Sequence, residues 1–222
     1  MRPNLALGPI DSVAQYLLYV SIVVLGVLLP ILVQKWRQRR MDAALVRRTL
    51  DALAEEIRGN RRRLAKSRAS FAELGRLLEE QYGHYEALWQ RLGNPDAGGP
   101  APLPPGLDDV ALTLPSLTRT AWDVAHVSHA LALLPADPLA RFTRAYYLQG
   151  ILADDLSSRL NVVMQAEALV VPIDLADRRN VEARLHAIAV GRAAARAQIA
   201  LSDGTLQAYD AALADAGTAR ST

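Results

Sequence analysis

An all-α fold is predicted, with one transmembrane helix continuing into an elongated antiparallel helical bundle or coiled-coil-like domain. Three observations predict it. Tyr16 to Val33 is an eighteen-residue run without a charge. From Val46 to Leu92, and again from Val181 to Leu213, apolar residues recur at alternating steps of three and four, the period of one helix face. No run of residues alternates with period two for long enough to make a strand.

The charge-free run reads YLLYVSIVVLGVLLPILV and lies between Asp11 and Lys35. A helix needs about 20 such residues to cover the hydrocarbon core of a bilayer. Tyr16, Tyr19 and Trp36 mark its two ends, where amphipathic rings favour the interface. Only Arg2 precedes the run, whereas Lys35-Trp36-Arg37-Gln38-Arg39-Arg40 follows it. A cleaved signal peptide has the opposite order and a small-residue cleavage site, and no A-x-A site follows here. The positive-inside rule therefore places the N-terminus outside and the rest in the cytoplasm. Residues 1–11 form a short extracytoplasmic tail, too short for a folded sensor, and 12–34 form the span.

Residues 35–92 are predicted as a basic juxtamembrane helix. The heptad positions run Val46, Leu50, Leu53, Ile57, Asn60, Leu64, Ser67, Phe71, Leu74, Leu78, Gln81, Tyr85, Leu88 and Leu92, eleven of fourteen apolar or aromatic. No proline lies between Pro30 and Pro95, so the helix can continue from the span, and residues 12 to 92 would extend about 120 Å. With Leu50 as an a position, the polar residues Asn60, Ser67 and Gln81 all fall at d. A buried Asn that specifies a parallel dimer is best known at a, so pairing with the chain's own later helices explains the pattern at least as well.

Gly93-Asn94-Pro95 ends this helix and opens a connector over 93–115, rich in Pro and Gly through residue 106. Its expected task is to return the chain along the first helix. Segments of the bundle follow over 116–216. Ser116 can cap a short helix over about 117–134. Asp137 and Pro138 suit the cap and first residue of a third helix, which carries Phe142, Tyr146, Leu152, Leu156, Leu160, Val163 and Val170 along one side and stops before Pro172. Asp174 starts a fourth helix, with Asp177 also favourable near its N-terminus. Its seam is Val181, Leu185, Ile188, Arg192, Ala195, Ile199, Ser202, Leu206, Tyr209 and Leu213, matched in rhythm to the first helix. Gly204 is a place where it can kink, and 217–222 is a small, polar tail.

The net charge of +2 conceals an asymmetry. Residues 35–68 hold twelve Lys/Arg against four acids, a local +8, so the remainder sums to −6. Lys35, Arg37, Arg39 and Arg40 sit directly below the span and are the candidate lipid contacts. Arg58, Arg61, Arg62 and Arg63, with Lys66 and Arg68, make a second cluster. Arg58 stands roughly 37 Å beyond Val33 along a straight helix. That is several times the Debye length of about 8 Å, so lipid charge does not reach it. Its expected partners are acids of the same chain (Asp108, Asp109, Asp154, Asp155) or a protein partner. Nucleic acid is not expected, because no recognition motif or stacking platform accompanies the charges. Trp122 is a core anchor or a partner contact in this aromatic-poor chain.

Asp123, His126 and His129 recur at intervals of three, and H-x-x-H can supply two metal ligands from adjacent turns. They lack a third ligand cluster and the H-E-x-x-H arrangement. There is no cysteine, hence no disulfide or thiolate site. Glycine-rich phosphate loops and nucleophile elbows are absent, and nothing in the sequence asks for a cofactor.

The stretch Trp122-x-x-Ala125, then Ala130-Leu131-Ala132-Leu133, then Tyr146-x-x-Gln149 resembles a group of uncharacterised bacterial single-span inner-membrane proteins with a helical cytoplasmic region. The resemblance covers about 40 residues and the general layout. It implies that layout and a bacterial inner membrane, and no chemistry. The expected function is that of a membrane-anchored interaction or scaffold protein without catalysis, its partners the bilayer and a protein or a second copy. The alternatives are an accessory or regulatory subunit of a larger membrane complex, and a metal-dependent enzyme built on Asp123, His126 and His129.

Overall fold

A computed structural model describes residues 13–94, 112–166 and 174–218. Every regular element among them is helical: α1 (Val13–Leu92), α2 (Thr120–Val127), a 3-10 turn (Ala130–Leu133), α3 (Ala136–Ala166) and α4 (Arg178–Thr218). The chain divides into two units, Met1–Arg48 and Thr49–Thr222.

In the first unit, α1 runs without interruption through Pro30. Its large apolar side chains from Tyr16 to Val33 are all exposed, from 39% at Val20 to 64% at Leu18 and Leu32. A core helix of a soluble domain would bury such a run. Instead this is the one described helix long and apolar enough to cross a membrane. Lys35 through Arg40 are exposed as well.

In the second unit the predicted seam is the buried face of α1. All eleven of its positions from Leu50 to Tyr85 are buried, and Leu88 and Leu92 are half-buried. Full burial of a Leu, Ile or Phe contributes about 1.5–3 kcal/mol, so this stripe carries much of the unit's stability. The helix stops where Gly93 and Asn94 turn back on it, Gly93 N–H donating to Gln90 O at 3.2 Å and Asn94 N–H to Arg91 O at 3.0 Å.

α4 packs against this face. Phe71, Leu74, Leu78 and Tyr85 of α1 form one cluster with Val181 and Ile188 of α4, edged by Leu156, Leu175 and Ile199. The contacts descend along α4 as they ascend along α1. Arg61 bonds Asp210, Arg68 bonds Asp203, Gly75 approaches Ala195, and the Arg178 guanidinium lies over Trp89. The two helices are therefore antiparallel here.

The expected seam of α4 is half correct. Val181, Ile188, Ala195, Ser202 and Tyr209 are buried as predicted. The other five expected positions, Leu185, Arg192, Ile199, Leu206 and Leu213, are only half-buried. The line that completes the seam lies one residue earlier: Arg184, Gly191, Gln198, Thr205 and Ala212. At Gly191 the reason is a close approach of the bulky Leu78 from α1. A methyl group at Gly191 would come within 3.3 Å of Leu78 Cδ1. Gly204 does not break α4, which also takes in residues 217 and 218 of the expected tail.

Local boundaries need correction too. Ser116 caps nothing, because residues 112–119 are not helical and α2 begins at Thr120. The segment instead lies along α1, with Thr113 N–H on Ser70 Oγ at 3.2 Å and Thr118 beside Asn60. Residues 95–111 of the expected connector lie outside the described residues. α3 starts at Ala136, with the Pro135 carbonyl accepting from Leu139 N–H, so Asp137 and Pro138 fall inside its first turn. Phe142, Tyr146 and Leu152 are buried and Leu156 half-buried. The predicted Leu160, Val163, Val170 and Pro172 lie outside the residues whose side chains are described. Asp177, not Asp174, caps α4, its Oδ1 accepting from Arg179 N–H at 2.9 Å. Asp174 makes the turn just before.

The corrected seam is open to test. Ile188→Ala is expected to cost about 2–5 kcal/mol of unfolding free energy in detergent, and Leu185→Ala less than half of that. Equal losses would show that the line through Leu185, not the one through Arg184, faces α1.

Candidate functional site

The cations that follow the charge-free run lie on successive turns of one helix. Lys35, Arg37, Arg39 and Arg40 are exposed, and the Arg40 guanidinium carbon stands 3.9 Å from the ring centroid of Trp36, one turn earlier. This stacking orders one guanidinium beside the Trp36 indole.

The second basic cluster is largely engaged within the chain. Arg61 donates from Nε to Asp210 Oδ1 at 2.6 Å and from Nη2 to Oδ2 at 3.3 Å. Arg68 repeats the fork on Asp203 at 2.9 and 3.2 Å. Arg58 pairs with Glu55 on its own helix at 2.9 Å. Arg63 turns inward to Asn60 Oδ1 at 2.7 Å. Further along, Glu79 receives Arg192 and Arg196. The acids that take Arg61 and Arg68 are on α4, not Asp154 or Asp155 of α3, and Asp108 and Asp109 lie outside the described residues. The reason is register: residues flanking two antiparallel seams meet every seven positions, and both pairs obey that interval. Hydrogen bonding to Asp210 and Asp203 raises the Arg61 and Arg68 pKa values, yet the pairs are solvent-exposed. Pairs of this kind set alignment more than stability. Arg62 and Lys66 are exposed.

The most elaborate polar arrangement surrounds Asn60, which is fully buried. Its Nδ2 donates to Thr118 O at 2.6 Å and to Gln149 Oε1 at 3.0 Å. Its Oδ1 accepts from Thr118 N–H at 3.0 Å and from Arg63. One side-chain amide thus pairs with both main-chain groups of Thr118. Gln149 Nε2 adds a second donor to Thr118 O at 3.0 Å, and Tyr209 OH donates to Gln149 Oε1 at 2.8 Å. The junction ties together α1, the 112–119 segment, α3 and α4.

One turn earlier on α1, Glu56 extends it. Glu56 Oε2 accepts from Tyr146 OH at 2.6 Å, and its carboxylate accepts from Ala121 N–H at 3.1 Å. Arg119, at the N-cap position of α2, makes no side-chain cap bond, so Glu56 supplies the missing cap from another helix. Burial, and then the Glu56 bond, push the Tyr146 phenol pKa upward; burial does the same for Tyr209.

Trp122 lies half-buried on Tyr146, ring centroids 4.9 Å apart, which gives it a core role. Tyr147, its neighbour's twin, is 67% exposed. Asp123, His126 and His129 do not form the expected helical face. α2 ends at Val127, and His129 adopts a left-handed conformation (φ 57°) in the following turn. Asp123 pairs with Arg119 at 3.0 Å. Among the described residues no group of three or more His, Asp or Glu is placed to hold a metal.

Compared with known proteins, the chain matches no family model, no curated protein and no solved structure. The junction is what sequence reading missed. Two signals for it were present: Asn60 at a seam position, and Gln149 in the Tyr146-x-x-Gln149 pattern. Gln149 belongs to this junction, Tyr146 bonds Glu56 beside it, Trp122 stacks on Tyr146, and Ala125 and Ala130 are buried in α2 and the 3-10 turn.

Two predictions follow from this geometry. Asn60→Leu strips partners from the Thr118 peptide and the buried Gln149 amide and removes a buried amide of its own, so unfolding free energy should fall by about 3 kcal/mol, while Arg62→Ala stays within about 0.5. Denaturant titration of the two variants compares them directly. The raised Tyr146 and Tyr209 pKa values make stability complete below the ordinary tyrosine value of 10.0. Above it the unfolded chain loses protons that the folded chain keeps, so stability declines with rising pH. Tyr209→Phe should flatten that decline relative to the parent.

Proposed function

We propose that this is a membrane-anchored interaction or scaffold protein of a bacterial inner membrane. In this reading the N-terminus is outside, and the helices after the span form an antiparallel, coiled-coil-like bundle in the cytoplasm. The observation that carries it is that α1 holds both an exposed, uncharged run at 16–33 and a buried heptad seam at 50–85. A single element then serves as anchor and as the spine on which the other helices assemble. The exposed cations Lys35, Arg37, Arg39 and Arg40 support the orientation and contact with anionic headgroups. The reading assigns the chain no catalysis.

A protein partner is favoured over an isolated bundle by exposed apolar side chains on α2 and α3: Val124 at 62%, Val127 at 78% and Tyr147 at 67%. An accessory subunit of a larger membrane complex is the second reading this observation supports. Arg58, Arg61 and Arg63 have partners in the chain, which leaves Arg62 as the best placed of the predicted partner contacts.

Mild solubilisation from native membranes, with identification of what copurifies, tests the proposal. A recurrent protein, or a second copy, is expected, and Val127→Asp with Tyr147→Asp should reduce its recovery without unfolding the chain. A monomer that crosslinks to nothing in cells overturns it. Orientation is tested separately, because the chain has no cysteine of its own. Leu5→Cys should react with an impermeant maleimide in intact cells, and Ala87→Cys only after permeabilisation; the reverse pattern overturns the orientation.

A further inference from the structure

The α1–α4 interface contains a second polar layer, separate from the Asn60 junction. Ser67 of α1 and Gln198 and Ser202 of α4 are each at most 1% exposed. Their position follows from the register. Leu78 meets Gly191, and the Arg184 guanidinium lies over Tyr85. Carried seven and then eleven residues along each helix, the same pairing sets Phe71 opposite Gln198 and Ser67 opposite Ser202. Gln198 and Ser202 stand one turn apart on α4 and share a face.

At the Asn60 junction each amide atom has a partner. In this layer none does. Ser67 Oγ, Ser202 Oγ, Gln198 Oε1 and Gln198 Nε2 are buried and bond to no group of the protein. Folded proteins rarely leave such groups unpaired. A buried hydroxyl on a helix can turn back to a carbonyl of the preceding turn, as Thr205 does to Leu201 O at 2.9 Å. Ser67 and Ser202 do not, and the longer Gln198 amide presents both donors and an acceptor.

The four atoms offer donors and acceptors together and carry no formal charge. Hydroxyls and a carboxamide without a carboxylate or imidazole suit a small neutral hydrogen-bonding molecule better than a cation. We propose that Ser67, Gln198 and Ser202 form an internal water site between α1 and α4. Water accepts from the Gln198 amide N–H and donates to its oxygen or to a serine, within the two to four bonds that buried water makes. The site lies within the helical seam, along α4 between the ion pairs Arg68–Asp203 and Arg61–Asp210 on one side and Glu79–Arg196 on the other. It does not depend on the proposed membrane function.

X-ray radiolytic footprinting of the full chain in detergent micelles tests the site. Radicals generated from bound water label side chains beside it even where bulk solvent is excluded. The chain has two phenylalanines, Phe71 next to the layer at 3% exposure and Phe142 on α3 at 1%. Phe71 is expected to oxidise roughly fivefold faster than Phe142 if water is held beside it. Gln198→Leu should bring Phe71 down to the Phe142 rate. Equal rates in the parent chain overturn the proposal, and so does fast Phe71 labelling that persists in Gln198→Leu. Should that variant fail to fold by circular dichroism, Ser67→Ala combined with Ser202→Ala carries the same comparison.

Discussion

The pairing of the Asn60 side chain with the Thr118 peptide is the interaction on which the helical unit depends. A polar amide in the middle of an apolar stripe is costly unless both its ends are satisfied. Here the partners come from three other parts of the chain, since Thr118, Gln149 and Tyr209 all converge on it directly or through one bond. No alternative register of α1 against the rest brings those groups to the same place. Apolar residues of the seam would tolerate a shift by a heptad; Asn60 does not. The stripe drives association, and the amide selects which association occurs.

The ion pairs repeat that selection on the outside. Arg61–Asp210 and Arg68–Asp203 are each separated by seven residues on both helices. A slip by one turn would break both. Exposed pairs contribute little energy singly, but they penalise the wrong alignment together. Two of the twelve cations of residues 35–68, a stretch that invites a reading as a binding surface, are thus engaged in holding α4 in register.

How far the sequence predicts this structure depends on what each residue had to contribute. The seam of α1 was legible because large apolar residues mark it almost without interruption. The seam of α4 was legible at every second layer only. Its other layers hold Arg184, Gly191, Gln198 and Thr205, while Leu185, Ile199 and Leu206 beside them are only half-buried. Periodicity finds greasy faces and misses faces built of glycine and polar residues. The start of α2 was misplaced for a related reason. Ser116 looked like a cap, yet the cap is Glu56, sixty-five residues before Ala121, and no local pattern encodes that. The histidine spacing failed because it assumed a helix that stops at Val127.

The cap from Glu56 also bears on the order in which the chain acquires its structure. α2 has eight residues, below the length at which an isolated helix persists in water. It lacks a local cap, and the group that supplies one sits on a helix made earlier in synthesis. α2 therefore has little reason to form until α1 is in place beside it. Contacts of this sequence separation are slow to close and come after the local ones. α1, rich in i, i+3 and i, i+4 contacts, can form as it leaves the ribosome. The short helix is then a late, conditional piece, present only in molecules whose α1 has already found its place.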